Sequence, residues 1–386
     1  MSARRHQADA SQEWMVEQRR HLHRHPEVGL ELPDTHDHLE TILRGLGLEP
    51  ERHDRAGLTV AIAGTEPDGI TTVLRGDMDA LPVDERSGVP FGSTRPGAMH
   101  ACGHDLHMAM LLGAARALVE HPPRRDVVLA FQPGEESDRG AVRTLEHRSL
   151  QLGPAATAFA IHVHATQPAH SIHFTPGVFM AYGDWFQIDL DGPGGHAATP
   201  EETGNPIETA SRFVLSAKQL IDELATAEHV VATVTESVIG NSVNVIAASG
   251  RLRGTIRSLS ADQRDRAIVG FREAIAEAAA VTGIRARLEL TEGYPAVVND
   301  PDFVAAMVSR FEEIFGTEQL VEMSRPSMVI EDFAYFLHRW PGAMVYLGAQ
   351  VPGHTSFNHS DDVVYDEAVL STGATMLLEA ADGFSG

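Results

Sequence analysis

The segment Asp126-Val127-Val128-Leu129-Ala130-Phe131-Gln132-Pro133-Gly134-Glu135-Glu136 decides the fold class of this chain. Residues 126–131 form a short, mostly apolar run, as a parallel strand does when helices cover both of its faces. Pro133-Gly134 ends the run with turn chemistry. The adjacent acids Glu135 and Glu136 then fall at the carboxyl edge of the strand, where open α/β sheets keep their active sites. An acid pair there is unlike a solvated surface pair.

Working outward, 58–64, 71–75 and 157–162 are further apolar or β-branched runs and read as strands. Residues 9–24 and 34–46 read as helices, as does 107–121, which Pro122-Pro123 stops. This alternation predicts a mostly parallel sheet between helices. From about Asp184 the texture changes. A half-exposed strand (185–191), a helix (206–225), strands at 230–239 and 250–258, a helix (261–282) and a strand (285–292) make β-α-β-β-α-β, a ferredoxin-like order. After Gly293-Tyr294-Pro295 the first texture returns, with helices at 301–315 and 366–381 and a strand at 343–348. The expected architecture is α/β: a mixed, mostly parallel sheet catalytic domain (1–183 and 295–386) interrupted by a ferredoxin-like α+β lid or dimerisation domain (184–294).

The chain has 386 residues, 43% of them apolar, enough for more than one core without disulfides. Its formal net charge of −24 argues against nucleic acid or an anionic membrane as partner. Lys218 is the only lysine, and nothing functional follows from that. No stretch approaches a membrane span and the N-terminus has no apolar signal region, so a cytoplasmic location is expected.

Several segments supply chemistry. The single cysteine, Cys102, lies in Met99-His100-Ala101-Cys102-Gly103-His104-Asp105. A thiolate and an imidazole two residues apart can point the same way from an extended segment. His162 ends a predicted strand, with His164 two residues on. Asp77 and Asp79 follow another strand, and Asn358-His359-Ser360 forms a polar loop near the C-terminus. Sulfur, nitrogen and carboxylate donors together suit a borderline divalent cation such as zinc, with manganese, cobalt or nickel also admissible. Most of the 21 histidines must be bystanders, and His21, His23, His25, His36 and His38 are expected at the surface.

These motifs resemble the co-catalytic metallopeptidase family of aminoacylases, glutamate carboxypeptidases and succinyl-diaminopimelate desuccinylase. The closest branch is the amidohydrolase subfamily of hippurate hydrolases, auxin-conjugate hydrolases and N-acyl-amino-acid aminoacylases. The resemblance runs from His23-Arg24-His25-Pro26-Glu27 nearly to the end, through Asp77-Met78-Asp79-Ala80-Leu81-Pro82, the Cys102 motif, Gln132 to Glu136 and Gly194-Gly195-His196-Ala197. It implies two divalent metal ions held by Cys102, His104, Glu136, His162 and His359, with Glu135 as general base. Asp79 aligns with an acid that orients a ligand, and Asp77 stands where related branches place a metal-binding histidine, so their division of labour stays open. His196 would stabilise the oxyanion, often from a partner subunit, while Asn244 and Arg257 would hold the substrate carboxylate. A homodimer through the lid is likewise implied.

The implied reaction is metal-dependent hydrolysis of an N-acyl amino acid, or a similar amide conjugate, to a carboxylate and a free amino acid. A dipeptidase or carboxypeptidase with the same site is the alternative, and a non-catalytic metal-binding or interaction protein is the alternative from another class. The sequence departs from the subfamily at Ser137-Asp138-Arg139-Gly140, at Val329-Ile330-Glu331-Asp332 and in lacking the usual proline after His359. These departures bear on substrate identity and remove no expected ligand.

Overall fold

Val127, Leu129, Ala130 and Phe131 are each at most 1% exposed, so the strand Asp126–Gln132 has no solvent face. The computed structural model describes residues 2–136, 139–225 and 229–384, without the side chain of Asp54. The chain divides into two units: Met1–Phe179 with Val297–Arg325 and Glu331–Gly386, and Met180–Ala296 with Pro326–Ile330.

The first unit is built on an eight-stranded mixed sheet. Asp126–Gln132, Thr71–Asp77, Ala156–His164 and Gly342–Gly348 lie side by side and parallel at its centre. Leu58–Ile62 and then Glu51–Arg52 extend one side antiparallel. On the other side come Ile172–Phe174, antiparallel to Gly342–Gly348, and Leu320–Glu322. Helix His104–Glu120 is buried around most of its circumference and packs with Leu370–Ala381 in the core that includes Leu111, Phe159, Phe311 and Leu377. Each such side chain contributes roughly 1.5–3 kcal/mol of burial.

That burial also explains a displaced boundary. The helix begins at His104, not at 107, because a helix that is buried all round carries no clear apolar stripe from which to read its start. Gly103 sits at φ +85° just before it, and a Cβ there would come within 2.3 Å of Val163 Cγ2. The expected helix at 9–24 is in fact Ala3–Ala10 and Gln12–Arg24, the first started by Ser2, whose Oγ accepts the Arg5 amide at 3.1 Å.

Two of the histidines expected at the surface are not there. His23 and His36 are each 2% exposed. His36 Nδ1 donates to the Leu32 carbonyl at 2.8 Å inside its own helix turn, and its Nε2 is buried without a hydrogen-bond partner. His23 bridges buried Asp105 (2.8 Å) and Glu85 (3.1 Å). Burial and Arg19 oppose charge on His23, but the two carboxylates raise its pKa.

The second unit pairs Val230–Ile239, Ser249–Ser258, Tyr182–Asp191 and Arg285–Tyr294 in that spatial order, every neighbour antiparallel. This is the ferredoxin-like arrangement. Phe186, Ile188 and Leu190 alternate inward, and Phe186 meets Phe213 and Phe271 edge-on from helices Pro206–Leu224 and Ala261–Thr282. Asn205 and Ser260 cap these helices through their side-chain oxygens. Among the described residues no helix is long and apolar enough to cross a membrane.

Candidate metal centre

The central strands end together. Asp77 pairs with Gln132 in register, so the acids beyond Gln132 emerge beside Asp77 and Asp79. The next strand carries His162, opposite Tyr346. His104 opens its helix at the same edge. His359 arrives on a loop at φ +73°, its amide donating to Ala101 O at 2.8 Å. Asn358 ties that loop down, accepting the Ala165 amide (3.0 Å) and donating to Val163 O (3.0 Å).

The donor atoms converge. Cys102 Sγ lies 3.3 Å from His162 Nε2 and 3.2 Å from His359 Nε2. Glu136 Oε1 is 3.5 Å from His359 Nε2 and 3.9 Å from His104 Nε2. Cys102, His104 and His162 form one cluster with ligand atoms mutually within 4.8 Å, and Cys102, Glu136 and His359 form another. His162 Nδ1 donates to Val163 O at 2.8 Å and His104 Nδ1 to the Asp79 carbonyl at 2.8 Å. Each bond directs the other nitrogen, with its lone pair, into the cluster.

The residues fit a cation on chemical grounds. His104 Nε2 and Glu136 Oε1 are buried without a hydrogen-bond partner, which is costly unless something else occupies the space between them. Burial alone would depress His104, yet Asp77 and Asp79 raise its pKa to about 10. The carboxylates around this imidazole leave a deficit of positive charge. Burial raises Glu136 to about 7, and burial followed by Glu331 and Glu136 pushes Glu135 well up. Burial, with Glu136 and Glu135 next, likewise raises the Cys102 thiol. Thiolate, imidazole and carboxylate donors around such a charge deficit suit zinc and its neighbours.

The Asp79 carboxylate is engaged by the backbone. Its oxygens accept the backbone amides of Glu135 (3.0 Å) and Glu136 (3.1 Å), fixing the Pro-Gly turn that presents both acids. Asp77 lies 3.5 Å from His104 Nε2, accepts from His107 Nδ1 at 2.6 Å and pairs with Arg75 at 2.5 Å. Gly140 closes the turn, where a Cβ would overlap Pro133 O at 1.5 Å. Ser137 and Asp138 lie outside the described residues.

Sequence reasoning missed three supports. His107 Nε2 accepts the Val163 amide at 2.8 Å while Nδ1 holds Asp77. Its spacing of three from His104, one helical turn, was the available signal. Arg75 is fully buried and also binds Glu331 (2.9 Å) and Asp332 (3.0 Å). Asp332 in turn accepts the Ala141 amide at 2.8 Å. No local pattern reveals partners more than 250 positions apart.

Three expected residues lie in the second unit. His196 is exposed, and its strand Gly195–His196 pairs with Val245–Ile246, so His196 and Asn244 adjoin on one ribbon. Asn244 O accepts the Ala197 amide at 3.2 Å. Arg257 donates to Met328 O at 2.8 Å and forms no ion pair among the described residues. Burial lowers its pKa. A half-buried guanidinium without a carboxylate is suited to an anionic ligand.

The model of peptidase family M20/M25/M40 matches residues 73–382. N-acetyldiaminopimelate deacetylase of Anoxybacillus flavithermus is 35% identical over 355 residues, covering 90% of this chain and 92% of the relative. The enzyme of that name from Bacillus subtilis is 32% identical, over 94% and 97% respectively. Among solved structures, the Bacillus subtilis YXEP protein, described as a dinuclear metal binding peptidase from the M20 family, superposes with a TM-score of 0.81. It is 27% identical and covers 97% of this chain and 98% of that one. This chain belongs to peptidase family M20/M25/M40 and is a metal-dependent amidohydrolase.

Proposed function

We propose that the protein hydrolyses the amide of an N-acyl amino acid, with an N-acetylated, multiply charged amino acid of the diaminopimelate kind as the first substrate to test. The observation that carries this reading is the meeting of Cys102, His104, Glu136, His162 and His359 in one cluster, with Glu135 beside it. The relatives' names supply the acetyl group and the amino acid.

Two divalent ions, zinc favoured, would be held by those five residues, and when bound they would acidify a water and polarise the scissile carbonyl. Glu135 takes a proton from the attacking water and delivers it to the leaving amine, so that amide and water become carboxylate and amino acid. Asp79 keeps Glu135 in place through its amide. His196 donates to the developing oxyanion, worth roughly 3–4 kcal/mol of barrier. Asn244 and Arg257 bind the substrate carboxylate.

A homodimer through the second unit is part of this reading. Strand Val230–Ile239 is the sheet's edge; Val238 within it is 57% exposed, and Ile207 and Leu215 beside it are 52% and 71% exposed. Such an edge invites a second copy. The net charge of −24 argues against nucleic acid or an anionic membrane as partner, and a cytoplasmic location belongs to this reading.

The test is Glu135→Gln assayed on N-acetyl, N-benzoyl and dipeptide substrates. It should bind metal as the parent does and lose most turnover. Near-parental rates refute the assigned base, and faster cleavage of dipeptides by the parent favours a peptidase. Mixing inactive His196→Ala and Glu135→Gln proteins tests action in trans. No recovery despite proven subunit exchange refutes it.

A further inference from the structure

Strand Ser249–Ser258 turns Leu252 and Ile256 into the core beneath the two helices of the second unit. Arg251, Arg253 and Arg257 therefore share the opposite face. Glu236 on the edge strand neutralises the first two, at 3.1 Å from Arg251 and 3.5 Å from Arg253. Arg257 has no acid opposite it. Its register partners are Val231 on one side and Gly183 on the other.

Arg257 Nη1 donates to Met328 O at 2.8 Å. A carbonyl fixes one limb of the planar fork but cancels none of its charge, so the other N–H groups meet an anion in a set orientation. Burial lowers the pKa of Arg257, a sign that the cation is poorly solvated, and this strengthens its attraction for a negative group.

The carbonyl is itself held in place. Ser327 bridges Met180 in parallel, and the Ala181 amide donates to Val329 O at 3.0 Å. The Val329 amide donates to Ser327 Oγ at 3.2 Å. Ile330 supplies the last anchor. A Cβ on Gly183 would lie 2.5 Å from Ile330 Cγ2 and 3.1 Å from its Cδ1. Direct cross-strand partners point the same way, so Ile330 fills the place that Gly183 leaves empty beside Arg257.

We propose that Ile330 and Gly183 are a matched pair that positions Arg257, and that Ile330 is thereby a specificity-determining residue for substrates with a free α-carboxylate. Positioning of this kind presupposes that Arg257 binds the substrate carboxylate, as proposed above, and adds what keeps the guanidinium aimed. The departure of Val329-Ile330 from the subfamily then serves carboxylate recognition.

Acetate release from N-acetylalanine and from N-acetylalaninamide by the metal-loaded, full-length protein tests this. The parent should prefer the carboxylate roughly 100-fold in kcat/KM, the worth of two charge-assisted hydrogen bonds, and Arg257→Met should abolish the preference. Ile330→Ala and Gly183→Ala should each reduce it to about tenfold, through KM, as loss of one of the two bonds would. The double variant should recover part of the preference, because the new methyl takes the space that the truncated Ile330 gives up. Calorimetry of both compounds on Glu135→Gln protein reads the same contrast as Kd. If Gly183→Ala does not fold, Ile330→Ser beside Ile330→Ala carries the comparison. A parent without the preference, or Arg257→Met with it intact, overturns both the reading of Arg257 and this one. A preference that needs Arg257 but stays parental in the Ile330 and Gly183 variants, or losses that simply add in the double variant, overturns the matched pair alone.

Discussion

The backbone carbonyl of Asp79, and not its carboxylate, takes the Nδ1 proton of His104, at 2.8 Å against 3.7 Å for Oδ1. The carboxylate is left to hold the amides of Glu135 and Glu136. One residue thereby sets the ring of one candidate ligand and the position of the candidate base. Asp79→Asn keeps the carbonyl but offers one acceptor oxygen to two amides. We expect a 10–100-fold loss of metal affinity or of kcat, with His104 still ordered. Dialysis against a metal buffer and steady-state kinetics check this. Parental values in both would show that the two amides need no anion.

His107 joins Asp77 to the backbone beside His162. Replacing it by Leu leaves a buried carboxylate short of a donor and the Val163 amide without an acceptor. Each orphaned group costs about 1–3 kcal/mol. Denaturant unfolding should show a loss of that order, while His107→Gln, which can both donate and accept, should recover part of it. Equal losses in the two variants would mean that ring volume, not hydrogen bonding, is what the site requires.

Arg75 is the cation of a fully buried cluster with Asp77, Glu331 and Asp332. Removing the cation alone leaves like charges buried together. Arg75→Met should cost about 3–5 kcal/mol, as breaking buried pairs does. Adding Asp332→Asn to it should restore part of the loss, since burial already pushes the Asp332 carboxyl well up. Strict additivity of the two substitutions in chemical unfolding would contradict this coupling.

The parts of the molecule that depend on local chemistry were legible. Apolar runs located the central strands, alternation at Phe186, Ile188 and Leu190 revealed a half-exposed sheet, and Pro-Gly before Glu135 placed the acids at a strand end. Residues that depend on distant partners were not legible. His23 resembles a solvated helix residue until Asp105 and Glu85 are folded against it. Arg75 gives no hint of Asp332 in the chain, and Ile172–Phe174 and Leu320–Glu322 are too short to show a period. The same limit applied to His38, whose surroundings come from another helix.

Two partly buried imidazoles set an acid limit on stability. His38 falls from 6.5 to about 4 through burial, then His21 and His25, and His53 falls to about 4 through burial, then His147. In the unfolded chain both titrate near the ordinary histidine value, so below that pH the unfolded state binds protons that the folded state refuses. Stability from this source is complete above pH 6.5, declines as pH falls, and stops changing below about 4, where the folded rings also charge. The thermal midpoint, followed from pH 7.5 to 4 in metal-free buffer, should therefore drop most steeply in the lower half of that range. His38→Gln removes one of the titrating rings and should flatten the decline. A profile for that variant that superimposes on the parent's would show that His38 accepts its proton without penalty, and its burial would then have no bearing on acid unfolding.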